Sequence, residues 1–468
     1  MPSISRGCCL ASPPEAVPGQ PYRRKSGNKG KGNSGAFLRS RAALVLAGVF
    51  RGQSLTEALR ERQQQVEERD RALLAELTYG VCREFFHLDA TASLLFRQPM
   101  KAKDQDIRAL VLVGLYQLLS TRIPAHAAIG ETAGAARVLK KKWAVAVVNG
   151  ILRRFQRERE QLLVEVEKQG SAEVRYNQPG WLVDALFMAW PDQAENILNG
   201  LQLRPPFTLR VNLQRCSLSE YVSLLAAEGL PGRPVPGIAS ALLLEKPVAV
   251  NRLPGFAKGL VSVQDAGAQM AAFLLDAHSG TRVLDACAAP GGKTGHLLER
   301  TPDLDLTAMD VDEQRLQRVE ENMRRLGFRP DLVVGDAADP RGGWSKGKYD
   351  RILVDAPCTA TGVVRRHPDI KLLRRPADVD VLVQRQATIL EAQWSLLKPG
   401  GRMLYATCSL LPRENDEQID GFLMKHRDAR AVMLATRRGI RTLHGLQLLP
   451  DTLETDGFYY ALLEKKDV

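Results

Sequence analysis

The sequence predicts a multidomain chain of 468 residues, in which an all-α bundle and a small α+β domain precede a doubly wound α/β domain. Three observations predict this order. Helix-forming sequence runs almost unbroken from Phe37 to about Arg159. Short apolar runs broken by Pro and Gly follow from about Ser171 to Val261. Beyond Val261, strand and helix signals alternate, which is typical of βαβ units in a parallel sheet.

The all-α bundle is expected to cover residues 36–165. Apolar residues recur at helical spacing over 73–81, so this stretch presents one apolar face. Residues 107–119 are apolar almost all round, and we therefore expect this helix at the centre of the bundle. Pro99 and Pro124 are expected in loops between helices.

The next two domains are expected at 170–260 and 261–468. In the small α+β domain, which we take as a linker, strands are predicted at 209–212 and 241–244. In the last domain the late segment 458–463 is expected to form an antiparallel strand. The remaining predicted elements of this domain are strands at 282–286, 306–310, 332–334, 351–355 and 403–407, and helices at 294–300, 313–326 and 377–397. Such a sheet binds its ligand at the carboxyl ends of its strands.

A basic tail is predicted at residues 1–35. The net charge of the chain is +12, and residues 1–41 contain eight Lys and Arg residues against Glu15 alone. Because the tail is rich in Gly, Pro and Ser, we expect it to be disordered. A tail of this charge also attracts nucleic-acid phosphate without regard to sequence.

Composition and cysteine usage exclude several classes of protein. No apolar segment is long enough to cross a membrane, and the N-terminus lacks the apolar stretch of a secretory signal. None of the seven cysteines stands in a Cys-x-x-Cys pair, and no His cluster accompanies them at zinc-ligand spacing, so no metal is expected. A chain of this length needs no disulfides. We therefore expect a cytoplasmic protein with free thiols.

A glycine-containing loop follows the first predicted strand of the last domain. Small residues here let the backbone approach a ligand closely. Pro290 distinguishes the loop from the G-x-G-x-x-G fingerprint, and its spacing is not that of a P-loop, so a nucleoside triphosphate fits poorly. The family resemblance given below implies that the loop holds a cofactor through Cys287, Ala288, Ala289, Pro290, Gly291, Gly292 and Lys293.

Acidic residues close three further strands of the predicted sheet. Asp310 could accept hydrogen bonds from both ribose hydroxyls of a nucleoside, and Asp336 could accept a hydrogen bond from the amino group of adenine. Asp355 closes the strand after these. A single Asp at such a place is usually a helix cap or a turn former. Three at one edge favour an adenosine-containing cofactor without phosphates, and S-adenosylmethionine fits.

Two cysteines lie just past the ends of neighbouring predicted strands. Cys358 follows Asp-Ala-Pro at 355–357, and Cys408 follows Tyr-Ala-Thr at 405–407. A lone cysteine is usually a small buried apolar residue, but two at one cofactor cleft indicate chemistry. Carbon 5 of a pyrimidine is a poor nucleophile. Addition of a thiolate at carbon 6 makes the ring an enamine that can attack an electrophilic methyl group.

The chain resembles the RNA cytosine-C5 methyltransferases of the RsmB/NOP class, most closely the bacterial enzymes that act on 16S ribosomal RNA. The resemblance is carried by the motifs above, by Val-Ser-Val-Gln-Asp-Ala at 261–266 and by Gly-Val-Val-Arg-Arg-His-Pro-Asp-Ile-Lys at 362–371. It implies that Cys408 attacks carbon 6 and that Cys358 helps to remove the C5 proton and release the base. It also implies that Asp355 holds the N3/N4 edge of cytosine, that Lys293 orders the cleft and that Asp310, Asp336 and Asp355 border the cofactor.

Residues 36–165 resemble the NusB-type RNA-binding domain. The resemblance is carried by Gly-Val-Cys-Arg at 80–83, Gly-Leu-Tyr-Gln-Leu at 114–118, Pro-Ala-His-Ala-Ala at 124–128 and Val-Asn-Gly-Ile-Leu-Arg at 148–153. Together with the catalytic resemblance it implies a monomer that binds 16S ribosomal RNA, either alone or in a partly assembled small subunit. The basic residues expected to contact phosphate are Lys140, Lys141, Lys142, Arg153, Arg154 and Arg157.

Three alternatives remain open at this point. An enzyme of the same superfamily could modify tRNA or another ribosomal RNA site. A DNA cytosine methyltransferase would use Cys358, the cysteine of the Pro-Cys pair, as its nucleophile. A ribosome-assembly protein with an inert catalytic domain would need none of these groups. Departures from the family pattern are small, since Thr359 and Ala406 each stand where Ser is usual and the tail has no counterpart.

Overall fold

The computed structural model describes residues 35–450 and 454–467, which form two compact units. One unit contains residues 35–202 and 364–374, and the other contains residues 203–363 and 375–467. The predicted basic tail at 1–35 lies outside the described residues except for Gly35, which begins the first helix. None of the helices described is both long and apolar enough to span a lipid bilayer.

The first unit is helical throughout. Its central helix is Gln105–Ser120, in which residues 107–117 are buried except Arg108, as the apolar sequence predicts. Arg39 donates from Nε and Nη2 to the Gln117 side-chain oxygen at 3.0 and 2.8 Å, so this buried cation is hydrogen-bonded. The other helices of 35–202 are Gly35–Phe50, Leu55–Gln63, Glu68–Arg83, Phe85–Leu95, Ala125–Val138, Ala144–Gln169, Ala172–Tyr176, Gly180–Ala189 and Ala194–Gln202.

A segment from the C-terminal half of the chain completes the helical unit. Residues Val364–Arg374, which include the short helix Ile370–Leu373, group with this unit although the sequence placed them in the catalytic domain. Leu372 and Leu373 pack on its apolar core. The Asp369 carboxylate accepts a hydrogen bond from the Leu55 amide at 2.9 Å, at the start of Leu55–Gln63. Apolar burial and a helix-terminal hydrogen bond thus hold the segment here.

A small antiparallel sheet opens the second unit. Its four strands are β1 (Phe207–Val211), β2 (Gly232–Pro234), β3 (Ala241–Leu244) and β4 (Val261–Val263), in the order β2-β3-β1-β4, with the helix Leu218–Ala227 beside them. The strands predicted near 209 and 241 are confirmed. The region expected as one domain at 170–260 is divided between the two units after Gln202.

A mixed nine-stranded sheet forms the centre of the second unit. Its strands are β5 (Arg282–Asp285), β6 (Asp305–Asp310), β7 (Asp331–Val334), β8 (Tyr349–Asp355), β9 (Leu397–Thr407), β10 (Ala429–Val432), β11 (Ile440–Arg441), β12 (Leu446–Leu448) and β13 (Phe458–Lys465). The order of the strands in the sheet is β11-β12-β13-β9-β8-β5-β6-β7, and β10 pairs with β13. The five strands β5 to β9 are parallel, and β13 runs antiparallel to β9 as predicted.

Three helices connect parallel strands where the sequence predicts them, namely Gly292–Arg300, Glu313–Leu326 and Pro376–Leu396. Two further helices, Ala266–Leu275 before β5 and Asp416–Lys425 after β9, were not predicted. The chain order reverses beside β5, which lies between β6 and β8. In a doubly wound sheet this switch point opens a crevice at the carboxyl ends of the strands. The predicted ligand edge is therefore the edge that carries the ends of β5, β6, β8 and β9.

Candidate active site

The loop after β5 joins the first parallel strand to the helix Gly292–Arg300 and contains the residues expected to hold a cofactor. The Ala288 amide donates to the Met309 carbonyl of β6 at 2.8 Å, which fixes the loop beside that strand. Gly291 has a φ of +94°, and a Cβ atom at this position would lie 3.2 Å from Val319 Cα. Glycine is therefore required here by both backbone conformation and space.

Asp285 ends β5 directly before this loop and is completely buried. Its Oδ2 accepts a hydrogen bond from the Thr294 hydroxyl at 2.7 Å, whereas its Oδ1 has no hydrogen-bond partner among the described residues. Burial, reinforced by the charge of Asp355, raises the pKa of Asp285 to about 7. The sequence analysis gave this residue no role, although its position at a strand end was the available signal.

Asp310 ends β6 and supports the cofactor loop. The side chain is 3% exposed, and its Oδ2 accepts from the Ala289 amide at 3.2 Å and lies 3.3 Å from Arg315 Nη2. Its Oδ1 accepts from the Asp312 amide at 3.1 Å. A carboxylate has about four lone-pair sites, so this one retains limited capacity for a further donor. Val311, the next residue, is 57% exposed and offers an apolar surface at the same edge.

Asp336 follows β7 and is engaged by a residue that the sequence did not single out. Arg385 and the Ala338 amide both donate to Oδ1, the amide at 2.9 Å. Partial burial alone would raise the pKa of Asp336, but these two hydrogen bonds outweigh burial and lower it. The carboxylate is therefore an ionised acceptor near the carboxyl end of β7.

Lys293 and Asp355 form an ion pair at the switch point. Lys293 Nζ lies 2.5 Å from Asp355 Oδ2 and 5.7 Å from the centre of the Phe458 ring. The lysine side chain is 6% exposed and the aspartate side chain 23%. Burial would lower the pKa of Lys293, but Asp355 and the acidic groups nearby raise it. Lys293 therefore keeps its positive charge, and Asp355 is partly open to solvent.

The two cysteines expected to react lie side by side. Cys358 follows β8 and Cys408 follows β9, and their Sγ atoms are 3.5 Å apart. Parallel pairing of Asp355 with Ala406 brings the two strand ends level, and the Gly362 amide donates to the Cys408 carbonyl at 2.9 Å. Cys358 is 1% exposed and Cys408 is 6% exposed.

A buried carboxylate next to the thiols was missed by the sequence analysis. Glu414 lies in the turn Pro412–Glu414 and is hydrogen-bonded to Thr359 and Ser409, the residues after the two cysteines. Nothing in the local sequence distinguishes this glutamate from a helix-initiating acid. In the part of the chain that the structure describes, no cluster of three or more His, Cys, Asp or Glu side chains could bind a metal ion.

The fold and this edge of the sheet define the class of Rossmann-like methyltransferases. Residues 272–464 match the family of 16S rRNA methyltransferase RsmB/F, residues 38–157 match the NusB family, and residues 178–251 match the RsmF/B-like ferredoxin-like domain. The chain is 47% identical to ribosomal RNA small subunit methyltransferase B of Klebsiella pneumoniae, over 92% of this chain and 98% of that protein. The chain belongs to the ribosomal RNA small subunit methyltransferase B family.

Two solved structures share the fold of much of the chain. A methyltransferase homolog protein from Pyrococcus horikoshii is 30% identical and superimposes with a TM-score of 0.56, covering 63% of this chain and 97% of that one. NSun6 from the same organism, solved with SFG, is 22% identical and has a TM-score of 0.56 over 62% of this chain and 99% of its own. The second comparison shows the fold alone. The NusB-like and methyltransferase domains predicted from sequence are confirmed.

Proposed function

We propose that the protein transfers a methyl group from S-adenosylmethionine to carbon 5 of a specific cytosine in 16S ribosomal RNA. The observation that carries this proposal is the pair of thiols 3.5 Å apart at the ends of β8 and β9. A reaction that uses a cysteine only as a nucleophile needs one thiol. A second thiol beside the first supports a reaction in which one thiol adds to the base and the other acts when the base is released.

The residues around the β5 loop fit S-adenosylmethionine. Its positively charged sulfonium and amino groups would suit the buried Asp285, whose Oδ1 has no hydrogen-bond partner among the described residues. The backbone of the loop after β5 would lie beside the cofactor, and exposed Val311 would cover one face of an adenine ring. Asp310 and Asp336 would meet the ribose and the adenine amino group. When bound, this cofactor supplies an electrophilic methyl group.

In the proposed reaction the chain's own groups act on the base. The Cys408 thiolate forms a bond to carbon 6, and the displaced electron pair makes carbon 5 the nucleophile. Asp355, held by Lys293 and partly open to solvent, accepts a hydrogen bond from the N3/N4 edge. After methylation Cys358 helps to remove the C5 proton, and the C5–C6 double bond re-forms as the Cys408 sulfur leaves. The adjacency of the two thiols supports a reaction that uses both, and the division of roles is the one that the family resemblance implies.

Recognition of RNA is assigned to the helical unit. Lys140, Lys142, Arg153 and Arg157 are exposed, as phosphate contacts require. Lys141 instead pairs with Asp104 and Asp106, at 2.9 and 2.5 Å, and contributes less to a basic surface than the sequence predicted. The names of the similar enzymes favour the small ribosomal subunit over tRNA as the source of the substrate. We propose a cytoplasmic monomer that acts on free 16S RNA or a partly assembled subunit.

The proposal is tested with purified full-length protein, 16S RNA and S-adenosylmethionine carrying a labelled methyl group. We expect the label in 5-methylcytidine after nucleoside digestion and mass spectrometry, and at one position after bisulfite sequencing. Cys408→Ala is the matched control and should transfer no label. Label in any other nucleoside, or equal label with tRNA, would contradict the assignment.

A further inference from the structure

Glu414 is a buried acid that lies between the two cysteine loops, defined here as residues 357–362 and 407–411. It is 0% exposed and ends the short turn Pro412–Glu414 that follows β9. A buried carboxylate is costly unless its oxygens are hydrogen-bonded. Among the described residues, the hydrogen-bond partners of this carboxylate come from the two loops and from Gln386.

The first loop is held through the residue that follows Cys358. The Thr359 amide donates to Glu414 Oε1 at 2.8 Å, and the Thr359 hydroxyl donates to Oε2 at 2.5 Å. Gln386 of the helix Pro376–Leu396 donates to Oε1 at 3.0 Å and also to the Pro357 carbonyl at 2.9 Å. The backbone on both sides of Cys358 is therefore tied to one carboxylate and its neighbour.

The second loop is held through the residue that follows Cys408. The Ser409 hydroxyl donates to Glu414 Oε2 at 2.5 Å, and the same hydroxyl oxygen accepts from the Leu411 amide at 3.1 Å. The two loops also meet directly. The Gly362 amide donates to the Cys408 carbonyl at 2.9 Å, the Leu410 amide donates to Thr361 Oγ1 at 2.9 Å, and the Thr359 and Ser409 hydroxyl oxygens lie 3.3 Å apart. To these contacts the carboxylate adds an acceptor shared by the two residues that follow the cysteines.

We propose that Glu414 is a positioning residue that sets the separation of the Cys358 and Cys408 thiols. The effect of Glu414 on catalysis rests on the function proposed above, whereas its effect on the separation of the thiols does not. Burial raises the pKa of Glu414, whereas its hydrogen bonds from Ser409, Thr359 and Gln386 favour the ionised form. In that form the hydrogen bonds are charge-assisted and about twice as strong as neutral ones, so one carboxylate can hold both loops. A misplacement of about 1 Å in a reacting group can cost on the order of 100-fold in rate.

Two substitutions at this position differ in what they leave behind. Glu414→Ala removes the acceptor and leaves the Thr359 amide and both hydroxyls without it. Glu414→Gln keeps one oxygen for the Thr359 amide, and the hydroxyls of Thr359 and Ser409 can accept from its amide group because a hydroxyl both donates and accepts. Tyr405→Phe is the matched control, since that hydroxyl donates to the Glu414 backbone carbonyl at 2.7 Å and not to the carboxylate.

The first test measures thiol separation without RNA. The azo oxidant diamide converts two thiols into a disulfide and is itself reduced to the hydrazine, taking up the two hydrogens. Native protein is treated, quenched and mapped by mass spectrometry for the Cys358–Cys408 peptide. Wild type and Tyr405→Phe should close the bond at similar rates, Glu414→Ala roughly tenfold or more slowly, and Glu414→Gln at an intermediate rate. Failure of wild type to close it, or closure by Glu414→Ala at the wild-type rate, would overturn the proposal.

The second test separates positioning from overall stability. With labelled cofactor and 16S RNA, Glu414→Ala should lose about 100-fold in kcat while cofactor Kd changes little, and Glu414→Gln should recover much of the loss. If Glu414→Ala does not fold, Glu414→Gln decides: disulfide closure at the wild-type rate together with unchanged kcat would overturn the proposal. Slower closure in the variants with no methylation by wild type would instead leave the positioning role intact and defeat the proposed function.

Discussion

The Sγ atoms of Cys358 and Cys408 lie 3.5 Å apart although fifty positions separate the two residues in the chain. Either thiol could therefore reach the same atom of a bound base. The proposed roles make different predictions for each. With RNA and cofactor, Cys408→Ala should give no methylation and no protein–RNA adduct, because no thiolate adds to carbon 6. Cys358→Ala should accumulate a covalent adduct, because addition proceeds and release is impaired.

A denaturing gel separates these outcomes, and Cys216→Ala is the matched control for loss of a thiol outside the proposed site. An adduct with Cys408→Ala and none with Cys358→Ala would exchange the two roles. The target base must leave its stack to reach these buried thiols, so unpaired RNA should react better than duplex.

Cofactor affinity should depend on Asp310. Asp310→Ala removes a charged acceptor and the support of the Ala289 amide, so binding should weaken by about 1–3 kcal/mol. Calorimetry with S-adenosylmethionine measures this change. Asp312→Ala is the matched control: it removes the cap on the Arg315 amide and should cost stability but little affinity. Equal affinities for wild type and Asp310→Ala would refute the assignment.

Cofactor affinity should also rise with pH near neutrality. Burial raises the pKa of Asp285 to about 7, so this group is largely neutral below that pH and gains its negative charge above it. A cationic cofactor should bind more tightly to the ionised form, by at most about tenfold per pH unit. In Asp285→Asn the side-chain oxygen can still accept the hydrogen bond from Thr294, but the Kd of this variant for the cofactor should not depend on pH in this way. Parallel pH profiles for the two proteins would show that Asp285 does not meet the cofactor's charge.

The stability of the helical unit should increase between about pH 7 and pH 10. Burial lowers the pKa of Lys371 to about 7, and its Nζ donates to the Asn177 carbonyl at 2.7 Å. In the unfolded chain the lysine keeps its proton to about pH 10.4, so over this range the unfolded state binds one more proton. The free energy of unfolding should then rise by up to about 1.4 kcal/mol per pH unit.

Urea unfolding followed by circular dichroism measures this slope. Lys371→Met should lose it, whereas substitution of the exposed Lys142 by Met should retain it. If the free energies of unfolding of Lys371→Met and of wild type change in parallel with pH, the lysine does not lose its proton in the folded state.

The basic tail should add non-specific affinity for RNA. Deletion of residues 1–35 should weaken binding and flatten its dependence on salt, because fewer counterions are released from phosphate. A full-length variant with the six basic residues of this stretch changed to Gln separates charge from length. Binding titrations at several salt concentrations give the slopes. An unaltered slope in both variants would exclude a role for the tail in RNA binding.

Local sequence determined most of the elements and the position of the reactive groups. Helical and strand periodicities reflect contacts within a few residues, and the strand-end positions of Asp310, Asp355, Cys358 and Cys408 follow from them. The predicted helix 313–326 agrees with the structure at both ends, and most other boundaries shift by one or two residues. The exception is β9, which begins at Leu397 rather than Met403 because Pro399-Gly400-Gly401 signals a turn in sequence.

Only the tertiary structure decided which distant groups meet. The register of β8 against β9 sets the distance between the thiols, and no local pattern encodes that register. The same is true of Glu414 between the two loops and of Arg385 on Asp336, since each contact joins segments remote in sequence. The segment Val364–Arg374 belongs to the helical unit for a comparable reason. Its leucines are partly buried against a core assembled from the other half of the chain, and burial of apolar surface depends on shape rather than on chain order.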